Sequence, residues 1–519
     1  MKKMLLALVI LMLAMAFVTT GCKGEPAELT VQIFDRGTDG GRSVAHDNAW
    51  TNWIKEKVKQ DLNIDVTFLP VGRWSEGQDM ANLMATASAP DLCYTYSGDM
   101  IANFRDQGGI LNLAPYIDRY LPDLKKLLGD DPAFPGKDFI YRNADPQTGH
   151  IYSIPSYRVA LAQRNVFIRK DWLDTLGLGV PRNTQEFYEA LVAFRDQDPG
   201  RVTRGRIVPF AVNSDARWGL ASIIQPSINA DISDRDRWVH NIADRNIYMP
   251  GYKEGVRMVN QWYNEGLVYR DFPLMTTADD FYNLIKSGVV GAFSQNWDFP
   301  YRTDINILTD LRRNVPNANF VPVDCITSSD GVTRKDMMDK VGLQIFIPVF
   351  SQNHVAALRY LNWLAKPENY QFLQIGHEGV NHEMVNGIPR ALGAPAGDPW
   401  FQNSPHNIDI TMPMNGIEMG SMELNARVLA LAYGNTPAED IVNAYEISTR
   451  NARAAAVRQA TTTVNQYGQT LADKADQLLA QAIRARPQDF DRVWDDGMAD
   501  WLNSGGREVF NERSSLWPR

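Results

Sequence analysis

Short apolar runs separated by amphipathic stretches constrain this chain more than any other feature. Leu29 to Phe34 (LTVQIF) is almost continuously apolar, as in a strand that a parallel sheet buries on both faces. Asp47 to Gln60 follows and places Trp50, Trp53, Ile54 and Val58 on one helical face. Ile64 to Leu69 (IDVTFL) reads as a second strand, Asp79 to Ala87 as a helix stopped by Ala89-Pro90, and Asp91 to Tyr96 as a third strand. This alternation predicts a parallel α/β sheet with right-handed crossovers. Ligands of such sheets sit beyond the carboxyl ends of the strands. That rim would collect Asp35 and Arg36, Trp74, and Tyr96-Ser97-Gly98-Asp99.

A second α/β unit begins near residue 160. Its signals are the strand Arg164 to Arg169 (RNVFIR), a helix opening at Asp171-Trp172-Leu173, and another started at Thr184 as N-cap with Glu186 and Glu189 in its first turns. Strands at Ile207 to Val212 and Val289 to Ser294 and a helix Tyr252 to Tyr263 continue it. Strands Phe320–Val323 and Val341–Ile347 and a helix Val355–Leu364 resume the alternation. From about residue 418 the pattern is helical, over Ala426–Ala432, Ile441–Ala460, Leu471–Ile483 and Asp489–Leu502.

The amino terminus is of another kind. Lys2 and Lys3 precede an uninterrupted apolar run, Met4 to Val18, closed by Thr19-Thr20-Gly21-Cys22. A permanent membrane span needs about 20 apolar residues, so the run reads as a secretory signal. Small residues before a cysteine resemble the bacterial lipobox, in which the thiol receives a diacylglycerol and becomes the new N-terminus. Thr19 stands where that motif usually has leucine. The resemblance implies residues 1–22 as a lipoprotein signal, lipidation at Cys22, and an extracytoplasmic domain held at the cell membrane by its lipid.

The chain has 519 residues, 44% of them hydrophobic, with a formal net charge of −9 that becomes more negative once Lys2 and Lys3 leave with the signal. The remainder is long enough for two domains. Its acidity and lack of any basic block argue against nucleic acid as a partner. Besides Cys22 there are only Cys93 and Cys325, free to be a disulfide or two buried thiols; no CxxC spacing exists for a cysteine-rich zinc site. His377-Glu378 and His382-Glu383 fall short of HExxH: five residues separate the histidines and Gly379 intervenes. The acidic stretches Asp231 to Asp236 and Asn407 to Asp409 lack the EF-hand order and read as solvated loops. No GxSxG elbow, P-loop or GxGxxG occurs.

Several segments share one order. These are the lipobox, Ala89-Pro90-Asp91-Leu92 entering a strand, Gly108 to Leu113 (GGILNL), Phe167 to Leu178 (FIRKDWLDTLGL) with Pro181 to Leu191, Gly291 to Asp298 (GAFSQNWD), Asn369 to Pro389, and Phe490 to Leu502 (FDRVWDDGMADWL). Together they resemble family 1 extracellular solute-binding proteins, the maltose-binding-protein-like receptors of carbohydrate-uptake ABC transporters. The resemblance implies a two-lobed periplasmic-binding-protein fold of type II, α/β in class, with a helical C-terminal region. It implies a first lobe of 28–157 plus about 325–375, and a second of 158–324 plus about 376–519. It further implies an interlobe cleft that closes on a sugar or oligosaccharide, an ABC permease as partner, a monomer, and neither cofactor nor catalysis.

Sugar recognition needs aromatic plates for ring faces and planar polar groups for paired hydroxyls. Trp297, between Asn296 and Asp298 just past the strand Val289–Ser294, offers both, and the resemblance places sugar on that tryptophan. Tyr96 and Asp99 match the first-lobe rim, and Trp218 in NSDARWG an aromatic rim loop of the second; Trp74, Asp35 and Arg158 complete the expected set. Trp50, Trp53, Trp172, Trp262 and Trp363 sit in helical patterns and read as core. An exported glycan hydrolase or lyase, whose paired carboxylates the fold rather than the spacing would set, and a sensor-coupled receptor are the competing readings.

Overall fold

The computed structural model describes residues 25–36, 44–73, 75–132, 134–145, 148–202, 206–242, 245–302, 305–328, 330–392, 409–433, 436–453 and 461–517. Its strands are β1 (Ala27–Asp35), β2 (Ile64–Gly72), β3 (Cys93–Thr95), β4 (Ile154–Arg158), β5 (Arg164–Arg169), β6 (Val208–Ala211), β7 (Val290–Asn296), β8 (Phe320–Val323), β9 (Lys335–Asp336), β10 (Val341–Phe346), β11 (His382–Val385), β12 (Ile388–Ala391), β13 (Met414–Asn415) and β14 (Ala452–Arg453).

In the first lobe the strands run in the order β2-β1-β3-β10-β4-β13, and β10 alone opposes the rest. The β1–β3 joint is made largely by side chains. The Gln32 amide donates to the Tyr94 carbonyl at 2.9 Å and accepts from the Tyr94 N–H at 3.1 Å, and Asp91 accepts from the Thr30 N–H at 2.9 Å. Leu29, Val31, Ile33 and Phe34 are all buried, as expected of a strand covered on both faces. The helix Ala49–Leu62 starts in a capping box of Asn48 and Thr51 and ends at Asn63 in the left-handed region. It packs with the return helix His354–Leu364 around Trp50 and Trp363.

The second-lobe sheet is β6-β7-β5-β8, with β5 antiparallel to both neighbours. One face is covered by Ala278–Lys286, Ile307–Asn314 and Ala438–Thr449, and the other by Thr184–Gln197, Tyr252–Asn264 and the long closing helix Thr462–Arg484 with Phe490–Trp501 packed on it. Trp172, Trp262, Trp494 and Trp501 are buried there. Gly505, at φ +118°, kinks the chain between Phe490–Trp501 and the helix Arg507–Leu516, where a Cβ would lie 2.4 Å from the Tyr467 ring.

The chain passes between lobes at 159–163, 337–340 and 416–421, and the passages lie side by side. Arg158 N–H donates to the Lys340 carbonyl at 2.7 Å, Met338 N–H to Leu161 at 2.8 Å, and Val159 N–H to Asn415 at 3.0 Å. Gly416, at φ +103°, lets the third passage press on the first, since a Cβ there would meet Val159 at 3.0 Å. The helix Ala438–Thr449 braces them from the second lobe: Tyr445 Oη accepts from Leu161 N–H and Ser448 Oγ from Gln163 N–H, each at 3.0 Å.

Several boundaries differ from expectation. Around the first-lobe return, expected at about 325–375, core membership departs from those bounds. Cys325 and Ile326 belong to the second core, the return starts near 338, and Ile410 and Met412 still pack in the first core before β13 pairs with β4. Cys93 and Cys325 therefore lie in different lobes, as free buried thiols. Asn183, not Thr184, caps its helix, because the Thr184 hydroxyl instead accepts from Thr327 N–H at 2.9 Å. The helix expected to Ala460 ends at Thr449, two residues before Asn451 turns left-handed. Asp409 is no solvated loop residue; its side chain is 1% exposed. Among the described residues no helix is long and apolar enough to cross a membrane. Cys22 and the rest of the leader lie outside the described residues.

Candidate functional site

Because β1 to β4 run in parallel, their carboxyl ends share one edge of the first lobe. Arg36 follows β1 and grips Asp409 through Nε at 2.5 Å and Nη2 at 2.8 Å; Nη2 also reaches Tyr96 Oη at 3.4 Å. Burial works against the Arg36 charge, but Asp409 outweighs it and holds the guanidinium pKa above its ordinary value. Tyr96, just past β3, stacks on Phe34 with ring centres 6.0 Å apart. Burial, then the Asp409 charge, pushes its phenol upward. The Arg73 guanidinium, past the end of β2, lies 4.7 Å from the Tyr96 ring and pairs with Glu76 at 3.0 Å. Arg158 closes β4 near enough for its charge to act on Tyr96. Asp35 is exposed at the end of β1, and Asp99 is half-buried in the first turn of Gly98–Asp106, a helix capped by Ser97. The structure thus brings Asp35, Tyr96, Asp99 and Arg158 to one rim. Trp74 lies outside the described residues.

On the second lobe β7 delivers Asn296 to the matching edge, exposed and paired in register with Arg164 at the start of β5. Trp218 sits in the short helix Ala216–Gly219, capped by Asp215, with the Arg217 guanidinium 4.3 Å and the Arg164 guanidinium 5.0 Å from its ring. Asp298 accepts a hydrogen bond from Tyr433 Oη at 2.6 Å. Trp297 departs from its expected role as an exposed plate. It is 7% exposed and its indole meets Tyr433 and Tyr445 edge-on at 6.1 and 5.3 Å, inside the core. The strand ends one residue before it, and the backbone turn that presents Asn296 to solvent swings the next side chain inward.

A cavity of about 380 Å³ opens between the lobes. One wall holds Gly77, Asp99, Asn103 and Phe104 of the first lobe; the other holds Arg245, Asn465 and Gln469 of the second. The helix Thr462–Arg484 spans this gap, packing on both Gly98–Asp106 and the Trp218 helix. Asp99 is the only carboxylate lining the cavity among the described residues, whereas glycoside hydrolysis uses a flanking pair. Nor do the described residues bring three His, Cys, Asp or Glu side chains together as a metal site. His382 is buried, with Nδ1 3.0 Å from the Ile375 carbonyl. The largely polar walls, with Phe104 as their one aromatic side chain among the described residues, suit reversible capture of a hydroxyl-rich solute. Sequence reasoning left Arg73, Arg164, Arg217 and Arg245 out of the site; of these only Arg217, adjacent to Trp218, carried a local signal.

Residues 43–371 match the model of the bacterial extracellular solute-binding protein family. The fructooligosaccharide ABC transporter substrate-binding protein FusA of Streptococcus pneumoniae is 26% identical over 43% of this chain and 39% of its own length. Lipoprotein LipO of Bacillus subtilis is 22% identical over 79% of this chain and 77% of its own. Among solved structures, the alginate-binding protein AlgQ2 superposes with a TM-score of 0.68 at 18% identity, covering 96% of this chain and all of that one. With the family model matching well over half of its residues, the chain belongs to the bacterial extracellular solute-binding proteins.

Proposed function

We propose that the protein is a non-catalytic extracytoplasmic receptor that captures a sugar or oligosaccharide between its lobes and delivers it to an ABC transporter permease. The observation that carries this reading is the cavity walled by both lobes, whose polar lining is amides, one carboxylate and one guanidinium. The name of FusA, which shares only part of its length with this chain, supports the same solute class. Asp35, Tyr96, Asp99 and Arg158 on one side, and Trp218, Asn296 and Asp298 on the other, are the contacts the reading assigns. A thermal-shift screen of the purified protein against oligosaccharides tests it. A ligand at 100 times its Kd adds about 2.7 kcal/mol of stability. Turnover of the sugar instead of simple binding would make the protein an enzyme and overturn the reading.

The same proposal has the protein monomeric and held to the membrane by a lipid on Cys22, consistent with the Thr20-Gly21-Cys22 sequence and with the name of LipO. Cys22→Ala is expected to release the protein into the soluble fraction or leave an unprocessed precursor. Normal processing with unchanged membrane retention would remove the anchor from the account.

A further inference from the structure

One cation on the second-lobe rim has no ion pair among the described residues, although the charge of Asp215 acts on it. Arg164 is 9% exposed, and among the described residues no carboxylate pairs with it. Its Nη2 donates to Gln295 Oε1 at 3.3 Å, a long bond, and Nη1 finds no partner. Burial lowers its pKa to about 10, with Asp215 pulling the other way and Arg217 adding to the fall, so it remains charged at neutral pH. Arg164 lines a niche of about 20 Å³ together with Ser222, Asp324, Thr333, Arg334 and Lys335. The other two cations there are matched, Lys335 with Asp324 at 2.6 Å and Arg334 with Asp330 at 2.6 Å. One water would fit the niche and occupy Nη1, but it would leave the charge uncompensated, and an unpaired buried charge is costly.

Position gives this surplus a use. Arg164 stands beside the exposed Asn296, and the half-exposed ring of Trp218 touches both its guanidinium and that of Arg217. A sugar lying on the open part of that ring would bring its substituents toward Arg164 and toward Arg217, which pairs loosely with Asp215 at 3.7 Å; planar guanidinium donors match a carboxylate or phosphate with two parallel bonds. We propose that Arg164, seconded by Arg217, selects a saccharide bearing an anionic substituent, a carboxylate, sulfate or phosphate, over the Trp218 ring. This rests on the carbohydrate-receptor reading above and names the class of sugar within it.

Calorimetric titration of the purified protein with length-matched neutral, uronate, sulfated and phosphorylated oligosaccharides tests the proposal. The tightest ligand is expected to be acidic, at least about tenfold tighter than its neutral counterpart. That gap narrows as NaCl is raised from about 50 to about 500 mM, and the winning acidic arm identifies the group. Arg164→Gln is expected to cut the acidic preference below about threefold. Should that variant melt below the titration temperature, Arg217→Gln replaces it with the same expected loss. A neutral sugar binding as tightly as its acidic counterparts, or a folded variant that keeps the full preference, overturns the proposal and leaves the carbohydrate reading standing. Failure of every saccharide, neutral or acidic, to bind overturns both.

Discussion

Trp297, between Asn296 and Asp298, and Asp409, between Ile408 and Ile410, each resolve against the character of their neighbours. The indole of Trp297 is enclosed by Tyr433 and Tyr445, and its backbone carbonyl accepts from Asn165 Nδ2 at 3.3 Å. Trp297→Ala is therefore expected to destabilise the empty protein by about 3–5 kcal/mol, read as a lowered denaturation midpoint without ligand. A midpoint unchanged, with sugar affinity lost, would return the ring to the cleft. Asp409 fixes Arg36, and through it Tyr96, at the rim. Replacing one member of a buried pair leaves the other uncompensated, so Asp409→Asn is expected to cost about 3–5 kcal/mol, whereas Arg36→Met with Asp409→Leu costs far less. Urea titration of the single and double variants checks this; a double-variant loss equal to the sum of the two single losses would deny the pair its coupling. At this scale the sequence marked which residues follow a strand's end, as Arg36 and Tyr96 do, because the apolar runs stop there. It did not reveal which way Trp297 turns once the strand stops, nor that Asp409 would find a partner 373 residues away.

Elements were more legible than their ends. β5 and β8 fall on the residues their apolar runs mark, Arg164–Arg169 and Phe320–Val323, since such runs can be satisfied only inside a sheet. Helix ends were set by tertiary bonds that local sequence does not announce, as where Thr327 draws the Thr184 hydroxyl away from a capping role. The expected helix Leu471–Ile483 extends to Thr462–Arg484, its first turn held by Glu512, which accepts from the N–H groups of Thr462 and Thr463. The kink at Gly505 makes this possible by folding Arg507–Leu516 back onto that turn. Gly505→Ala combines a φ that alanine rarely adopts with a Cβ 2.4 Å from the Tyr467 ring. A loss of about 1–3 kcal/mol from overpacking alone is expected, with faster amide exchange in 507–516. Protection in that helix equal to the parent would show that the kink tolerates a side chain.

On the scale of the whole molecule, the two lobes were legible because two α/β series appear in succession; the places where the chain changes lobe were not. Each passage is four to six residues without periodicity, and their pairing with one another, as between Met338 and Leu161, joins segments remote in sequence. Three adjacent passages braced by Ala438–Thr449 form one flexing strip, so the lobes are expected to move as rigid bodies about it. X-ray scattering should give a smaller radius of gyration for the protein saturated with sugar than for the empty one. Superimposable profiles at proven saturation would mean a groove that does not close.

The late arrival of β13 has a consequence for how such a chain can be made. The first lobe begins at residue 27, yet its edge strand and the anion that neutralises Arg36 come only with residues 409–415. The second lobe in turn waits for Thr462–Arg484 and the turns beyond it. A chain emerging from its amino end therefore completes its first core only when about four fifths of its residues are out, and its second later still, and contacts of such long separation close slowly. Until then it presents unpaired strand edges and apolar faces. Its maturation depends less on the stability of any early segment than on how long the unfinished polypeptide is kept from its neighbours.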